Sequence, residues 1–113
     1  MEYQPKKILS EFNRLMTNVR SAVPGSYDAL IAEKHAALKS GKIPEKTKWL
    51  MLLVAGVSLK CPVCIPRAVE HCLTLGWSRE EMLEACMVAV LVGGSSVMTY
   101  VTFVEKAIED LKG

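Results

Sequence analysis

Proline stands at positions 5, 24, 44 and 62, and after each one apolar residues recur at helical spacing until a glycine or the next proline interrupts them. A proline loses nothing at the first position of a helix, where its missing N–H has no partner to give up and its fixed φ is already helical. The pattern therefore predicts a chain of helices at about these starts. Ile8, Phe12, Leu15, Met16 and Val19 form a stripe between Pro5 and Ala22. Leu30, Ile31, Ala37 and Leu38 lie in a second helix between Pro24 and Gly41. A third begins at Pro44, with Glu45 in its first turn, and runs through Trp49-Leu50-Met51-Leu52-Leu53-Val54-Ala55. That run is apolar on every side, the pattern of a helix buried all round.

Pro62 ends this third run, and the residue before a proline avoids the α region, so Cys61 falls at a helix boundary. A fourth helix is expected from Pro62 to Leu75, stopped by Gly76. Ser78 and Glu81 have capping-box spacing and open a fifth helix that runs to about Val92. A sixth runs from Ser95 or Ser96 to near Lys112. No stretch reads as a strand meander or a βαβ unit. The expected fold is all-α, about six helices, in a single domain over residues 1–113.

From Ala85 to Val104 the chain carries no charge for twenty residues, long enough to span a bilayer. Gly93-Gly94-Ser95-Ser96 interrupts it, and two buried helices meeting at a glycine break are expected instead. The first seven residues are polar with no apolar stretch behind them, so no signal peptide is read and a cytoplasmic location is expected. Hydrophobic residues make up 50% of the chain and mean hydropathy is +0.22. That is apolar for so small a domain, and burial of some of this surface between identical subunits is expected. Fourteen basic residues against 12 acidic give a net charge of +2. With no basic stripe interleaved with aromatics, nucleic-acid binding is not expected. Met51, Met82, Met87 and Met98 read as core fill, and Trp77 as packing for a helix end.

Of the cysteines at 61, 64, 72 and 86, only Cys61-Pro62-Val63-Cys64 has motif spacing. With Cys61 at the N-cap, the amides of Val63 and Cys64 point toward its sulfur, and the helix dipole favours a thiolate. Lys60 and Arg67 add positive charge. A thiol there titrates below its free value of about 8.5. Cys64 follows one turn later, within reach of a disulfide. A metal site or an incidental pair are the other readings. Zinc needs about four ligands, and the remaining candidates are His71, Cys72, Cys86 and His35. His71 is about 10 Å from Cys64 along one helix, and there is no second C-x-x-C. No metal is expected, and with no phosphate-cradling glycine motif, no cofactor either.

The stretches Lys46–Ile65, Leu75–Ala85 and Ala89–Ser96, with the CxxC at a helix start, Gly76 twelve residues after the second cysteine, and the Gly93-Gly94 break, resemble the AhpD-like, or carboxymuconolactone decarboxylase-like, family. The resemblance covers about Ile43 to Leu111. It implies an all-helical fold assembled as a homotrimer or homohexamer. It also implies reduction of hydroperoxides or exchange of disulfides through Cys61 and Cys64, with a dithiol protein or lipoyl-type partner restoring the dithiol. In another branch it implies lactone decarboxylation, and a non-enzymatic oligomeric binding module is a third reading. In the redox branch a glutamate twelve residues before the first cysteine and a histidine four after the second relay protons. Trp49 and Ala68 occupy those positions here. The helix terminus favours Cys61 as the lower-pKa thiol, and the relay acts beside Cys64. Glu45 and His71 are the candidates to stand in for the relay, although a first-turn carboxylate and a surface histidine are the plainer readings of each.

Overall fold

The computed structural model describes residues 1–112. Those residues form six helices and no strand: α1 (Pro5–Ala22), α2 (Pro24–Leu38), α3 (Glu45–Ser58), α4 (Cys64–Thr74), α5 (Arg79–Gly93) and α6 (Ser95–Lys112). Pro5 and Pro24 open α1 and α2 as the sequence predicts, while Pro44 lies just outside α3 as its cap. The α2 helix stops at Leu38, before Gly41. Lys48 ends it from α3, its ammonium donating to the carbonyls of Ala37 and Lys39 at 2.8 Å each. A cation at a helix C-terminus meets both the orphan carbonyls and the negative end of the dipole.

Helices α3 to α6 hold the core. Leu53 and Val57 of α3, Ile65 and Val69 of α4, Met82 of α5 and Ile108 of α6 are all buried in one cluster. Each side chain of this size contributes about 1.5–3 kcal/mol on leaving water. The α5 start is a full capping box: Ser78 Oγ accepts the Glu81 N–H at 3.0 Å, and the Glu81 carboxylate accepts the Ser78 N–H at 2.9 Å. Gly94, at φ +69°, separates α5 from α6, and a side chain on Gly93 would collide with Val97. The uncharged stretch is thus two helices, and among the described residues no helix is long and apolar enough to cross a membrane.

Within a single copy of the chain, three expectations about burial do not hold. The α3 helix is not buried all round: Met51 and Leu52 are exposed while Trp49, Leu53 and Val57 are inside. Val88, Leu91 and Val92 of α5 also face outward, Leu91 at 85% and Val92 at 93% exposure. Of the four methionines read as core, only Met82 is buried; Met51, Met87 and Met98 are exposed. Four helices bury one face each against their neighbours, and a helix with more apolar faces than neighbours leaves the rest outside.

Candidate active site at the Cys61–Cys64 turn

The geometry of this turn begins at the end of α3. The Lys60 N–H donates to the Val57 carbonyl and the Cys61 N–H to the Gly56 carbonyl, both at 3.0 Å. This pair of bonds is a Schellman motif, which needs a left-handed residue at its hinge. Lys60 fills that role at φ 55°. A lysine pays a steric cost there that glycine does not. Gly76 plays the same part at the end of α4, with φ 93° and matching bonds from Gly76 to Leu73 and from Trp77 to Cys72. Gly56 has a second use. A Cβ on it would sit 3.3 Å from the Cys64 Cβ, so its bareness lets α3 lie directly against the cysteine turn.

Cys61 and Cys64 are joined as a disulfide, their Cα atoms 5.3 Å apart. The Cys64 N–H donates to Cys61 Sγ at 3.1 Å, and the Ile65 N–H to the Cys61 carbonyl at 3.2 Å. Of the two amides expected at the Cys61 sulfur only that of Cys64 donates to it, and the residue capping the helix is Val63, not Cys61. Regular helix starts at Cys64 instead of Pro62. Pro66, four residues after Pro62, has no N–H to give the Pro62 carbonyl, so the rung after Cys61–Ile65 is missing. The freed Pro62 carbonyl accepts the Tyr3 hydroxyl at 2.5 Å instead, across 59 residues of sequence. Tyr3 is buried, and burial raises its phenol pKa above the ordinary value of 10.0.

Cys61 is half-buried and Cys64 exposed. Cys64 lines a cavity of about 270 Å³ together with Leu38, Trp49, Leu52 and Ala68, and with Lys34 and Arg67 as its only charged residues. Trp49 and Ala68, the two relay positions, thus do converge on Cys64, and neither can exchange a proton there: an indole N–H only donates, and alanine has no polar atom. Glu45 and His71 do not line this cavity. They line a neighbouring one of about 600 Å³, with His35, which shares Lys34, Leu38 and Trp49 with the first. The His71 ring stacks on Trp49, centroids 3.8 Å apart and planes 4° from parallel. His71 Nδ1 lies 2.9 Å from the Arg67 carbonyl, which can only accept, so Nδ1 carries the proton and Nε2 is the basic nitrogen.

Cys72 and Cys86 are buried, and burial pushes both thiols up from 9.0 to about 12. They behave as small apolar core residues. Among the described residues no group of three or more histidine, cysteine or acidic side chains could hold a metal. Sequence reasoning did not single out Tyr3, Gly56, Lys34 or Pro66. Pro66 carried a local signal, since a proline four residues after another leaves a carbonyl without its helical donor.

The sequence profile of the carboxymuconolactone decarboxylase family matches residues 24–105, from the start of α2 into α6. The chain belongs to this family. The match begins before Ile43 and so takes in α2, which contributes Lys34 and Leu38 to the Cys64 cavity. The crystal structure of an apo carboxymuconolactone decarboxylase family protein from Legionella pneumophila superposes with a TM-score of 0.93 at 27% identity, over 96% of this chain and 97% of that one. Two crystal structures of one Thermotoga maritima protein are also similar. The first has a TM-score of 0.79 at 33% identity over 95% of this chain and 91% of that one. The second has 0.76 at 32% over 92% and 86%, and is described as a carboxymuconolactone decarboxylase family protein with a suggested part in the antioxidative response. No protein of curated function matches the sequence significantly.

Proposed function

We propose that this carboxymuconolactone decarboxylase family protein is a thiol–disulfide oxidoreductase that reduces hydroperoxides through Cys61 and Cys64. The observation that carries the reading is the Cys61–Cys64 pair at a helix start, with the exposed Cys64 opening onto a cavity that the two relay positions also line. In the reduced form the Cys64 thiolate attacks the terminal oxygen of the hydroperoxide. The O–O bond breaks, the alkoxide leaves and takes a proton from water to become an alcohol, and Cys64 becomes a sulfenic acid. The Cys61 thiolate then attacks the Cys64 sulfur and displaces hydroxide, which is released as water. The balance is one hydroperoxide and two thiols converted to one alcohol, one water and one disulfide. A dithiol reductant, protein-borne or lipoyl-type, restores the pair by exchange and is itself oxidised to a disulfide. With no acid–base group at Trp49 or Ala68, turnover is slower than in a relay-bearing relative by about 10²–10⁴-fold.

Stopped-flow oxidation of the reduced protein by hydrogen peroxide and by an organic hydroperoxide tests this. Wild type should form the Cys61–Cys64 disulfide. Cys61→Ser should halt at the sulfenic acid on Cys64, and Cys64→Ser should not react. Equal inertness of all three proteins refutes the reading. Self-association is part of the same proposal. Met51, Leu52, Val88, Leu91 and Val92 present apolar surface outward from α3 and α5, and a second copy of the chain is the partner best matched to it, in a trimer or hexamer.

A further inference from the structure

The cavity at Cys64 has an apolar wall and a cationic rim. Leu38, Trp49 and Leu52 form the wall. Lys34 from α2 and Arg67 from α4 form the rim, and among the described residues no carboxylate pairs with either. Each lies over an aromatic ring instead. The Lys34 ammonium lies 5.5 Å from the Trp49 ring centroid, and the Arg67 guanidinium 4.8 Å from that of Phe12. An aromatic face offsets a cation weakly and leaves its N–H donors free. Both side chains are half-buried rather than extended into solvent. They also feel each other: burial first, and then the Arg67 charge, lowers the Lys34 pKa below its ordinary 10.5. Two cations held near one another without a counter-ion, over an apolar hollow, are complementary to an anion with an apolar body.

We infer that Lys34 and Arg67 form a carboxylate-binding subsite, and that the cavity at Cys64 takes small apolar carboxylates, with carboxylate-bearing hydroperoxides as the substrates of the cysteine pair. The substrate part rests on the redox reading above; the subsite itself does not. The head group is held by the two cations, and the tail lies along Leu38, Trp49 and Leu52. The cavity volume of about 270 Å³ falls just under the roughly 300 Å³ at which ordinary ligand pockets begin, which selects a short chain or a single ring.

Trp49 supplies its own reporter. In a Trp77→Phe background it is the one remaining tryptophan, and Trp77 does not line the cavity. The oxidised protein is titrated with octanoate and, separately, with the uncharged octanol, following Trp49 emission. Octanoate should shift the emission saturably and bind at least about tenfold more tightly than octanol, the margin of a charge-assisted hydrogen bond. Lys34→Gln with Arg67→Gln should abolish that margin while leaving octanol unchanged, and Lys34→Arg should retain it. No saturable octanoate response, equal binding of both ligands, or an undiminished margin in the double variant overturns the subsite. The redox reading fails separately: octanoate would bind as stated, yet peroxide would leave the reduced Cys61 and Cys64 unchanged.

Discussion

The Tyr3 hydroxyl donates to the carbonyl of Pro62 at 2.5 Å, tying the segment before α1 to the middle of the cysteine turn. Pro66 leaves the carbonyl free for this bond, because it removes the amide that would otherwise take it. The Tyr3 ring also packs on Phe103 of α6, centroids 4.3 Å apart. Tyr3→Phe therefore keeps the packing and deletes only the hydrogen bond. It should cost about 0.5–1.5 kcal/mol, seen as a lower urea midpoint with an unchanged slope. An unaltered midpoint would show that water replaces the hydroxyl without loss.

The four cysteines divide by position. Cys64 is exposed and Cys61 half-buried, while Cys72 and Cys86 lie in the core among α4 and α5. After reduction, an excess of a thiol reagent should modify Cys61 and Cys64 rapidly in the folded protein. Cys72 and Cys86 should react only when guanidinium unfolds it, since thiolate and access are both needed. Mass spectrometry of the fast and slow products checks the assignment, and fast labelling at Cys72 would contradict the packing described for α4.

Alkaline pH should act on the same buried pair. Folding raises both thiols from 9.0 to about 12 through loss of solvent around the thiolate. The unfolded chain therefore releases these protons first as pH rises. Their contribution to stability is complete below about pH 9 and is lost on the way to about pH 12, since stability falls wherever the unfolded state binds fewer protons. Tyr3, raised in the same direction by burial, steepens the decline above pH 10. The urea midpoint should thus fall with pH over this window, and less steeply in Cys86→Ala. A parallel fall in both proteins would place the titration elsewhere.

Local chemistry explains how much of this was legible. The starts of α1 and α2 at Pro5 and Pro24, the Ser78–Glu81 box, the stop at Gly76 and the break at Gly93-Gly94 each depend on residues within one turn of each other, and a sequence displays them directly. The placement of Trp49 and Ala68 beside Cys64 followed from the family resemblance and is present in the structure. What was not legible depends on distant contacts. Nothing near Tyr3 indicates that it meets Pro62, and nothing near Lys34 indicates that it shares a cavity with Arg67. Periodicity also marks a face as apolar without saying what covers it, which is why Met51 and Met87 read as core although they lie outside.

That outer face makes a prediction about assembly. Val88 is 60% exposed and borders a shallow hollow with Leu50, Met51 and Val54 of α3. If a second copy covers it, Val88→Glu buries an unpaired charge at the contact and should dissociate the assembly, while costing the isolated chain little. Sedimentation should then give a species near 12.5 kDa, against a multiple of it for wild type. A 12.5 kDa wild type would remove the self-association proposal altogether.

Ala68 lies one helical turn after Cys64 and lines the same cavity, so a side chain there points to the face that carries Cys64. Ala68→His would place an imidazole beside the sulfur, with the cavity available to receive it. Restoring the other position is less clean. Trp49 is only 6% exposed and stacks on His71, and Trp49→Glu removes a large core side chain at a cost of about 3–5 kcal/mol. The single Ala68→His variant should therefore be tried alone. If proton delivery to the leaving alkoxide limits the reaction, its rate with hydroperoxide should rise by up to about 10²-fold, the lower end of general acid–base assistance. The pH profile should gain an inflection near the imidazole value of about 6.5, and Ala68→Gln, which fills the same space without titrating in that range, should gain none. A histidine variant that folds, lacks the inflection and reacts at the wild-type rate would mean that the step limiting this cysteine pair is not proton transfer at Cys64.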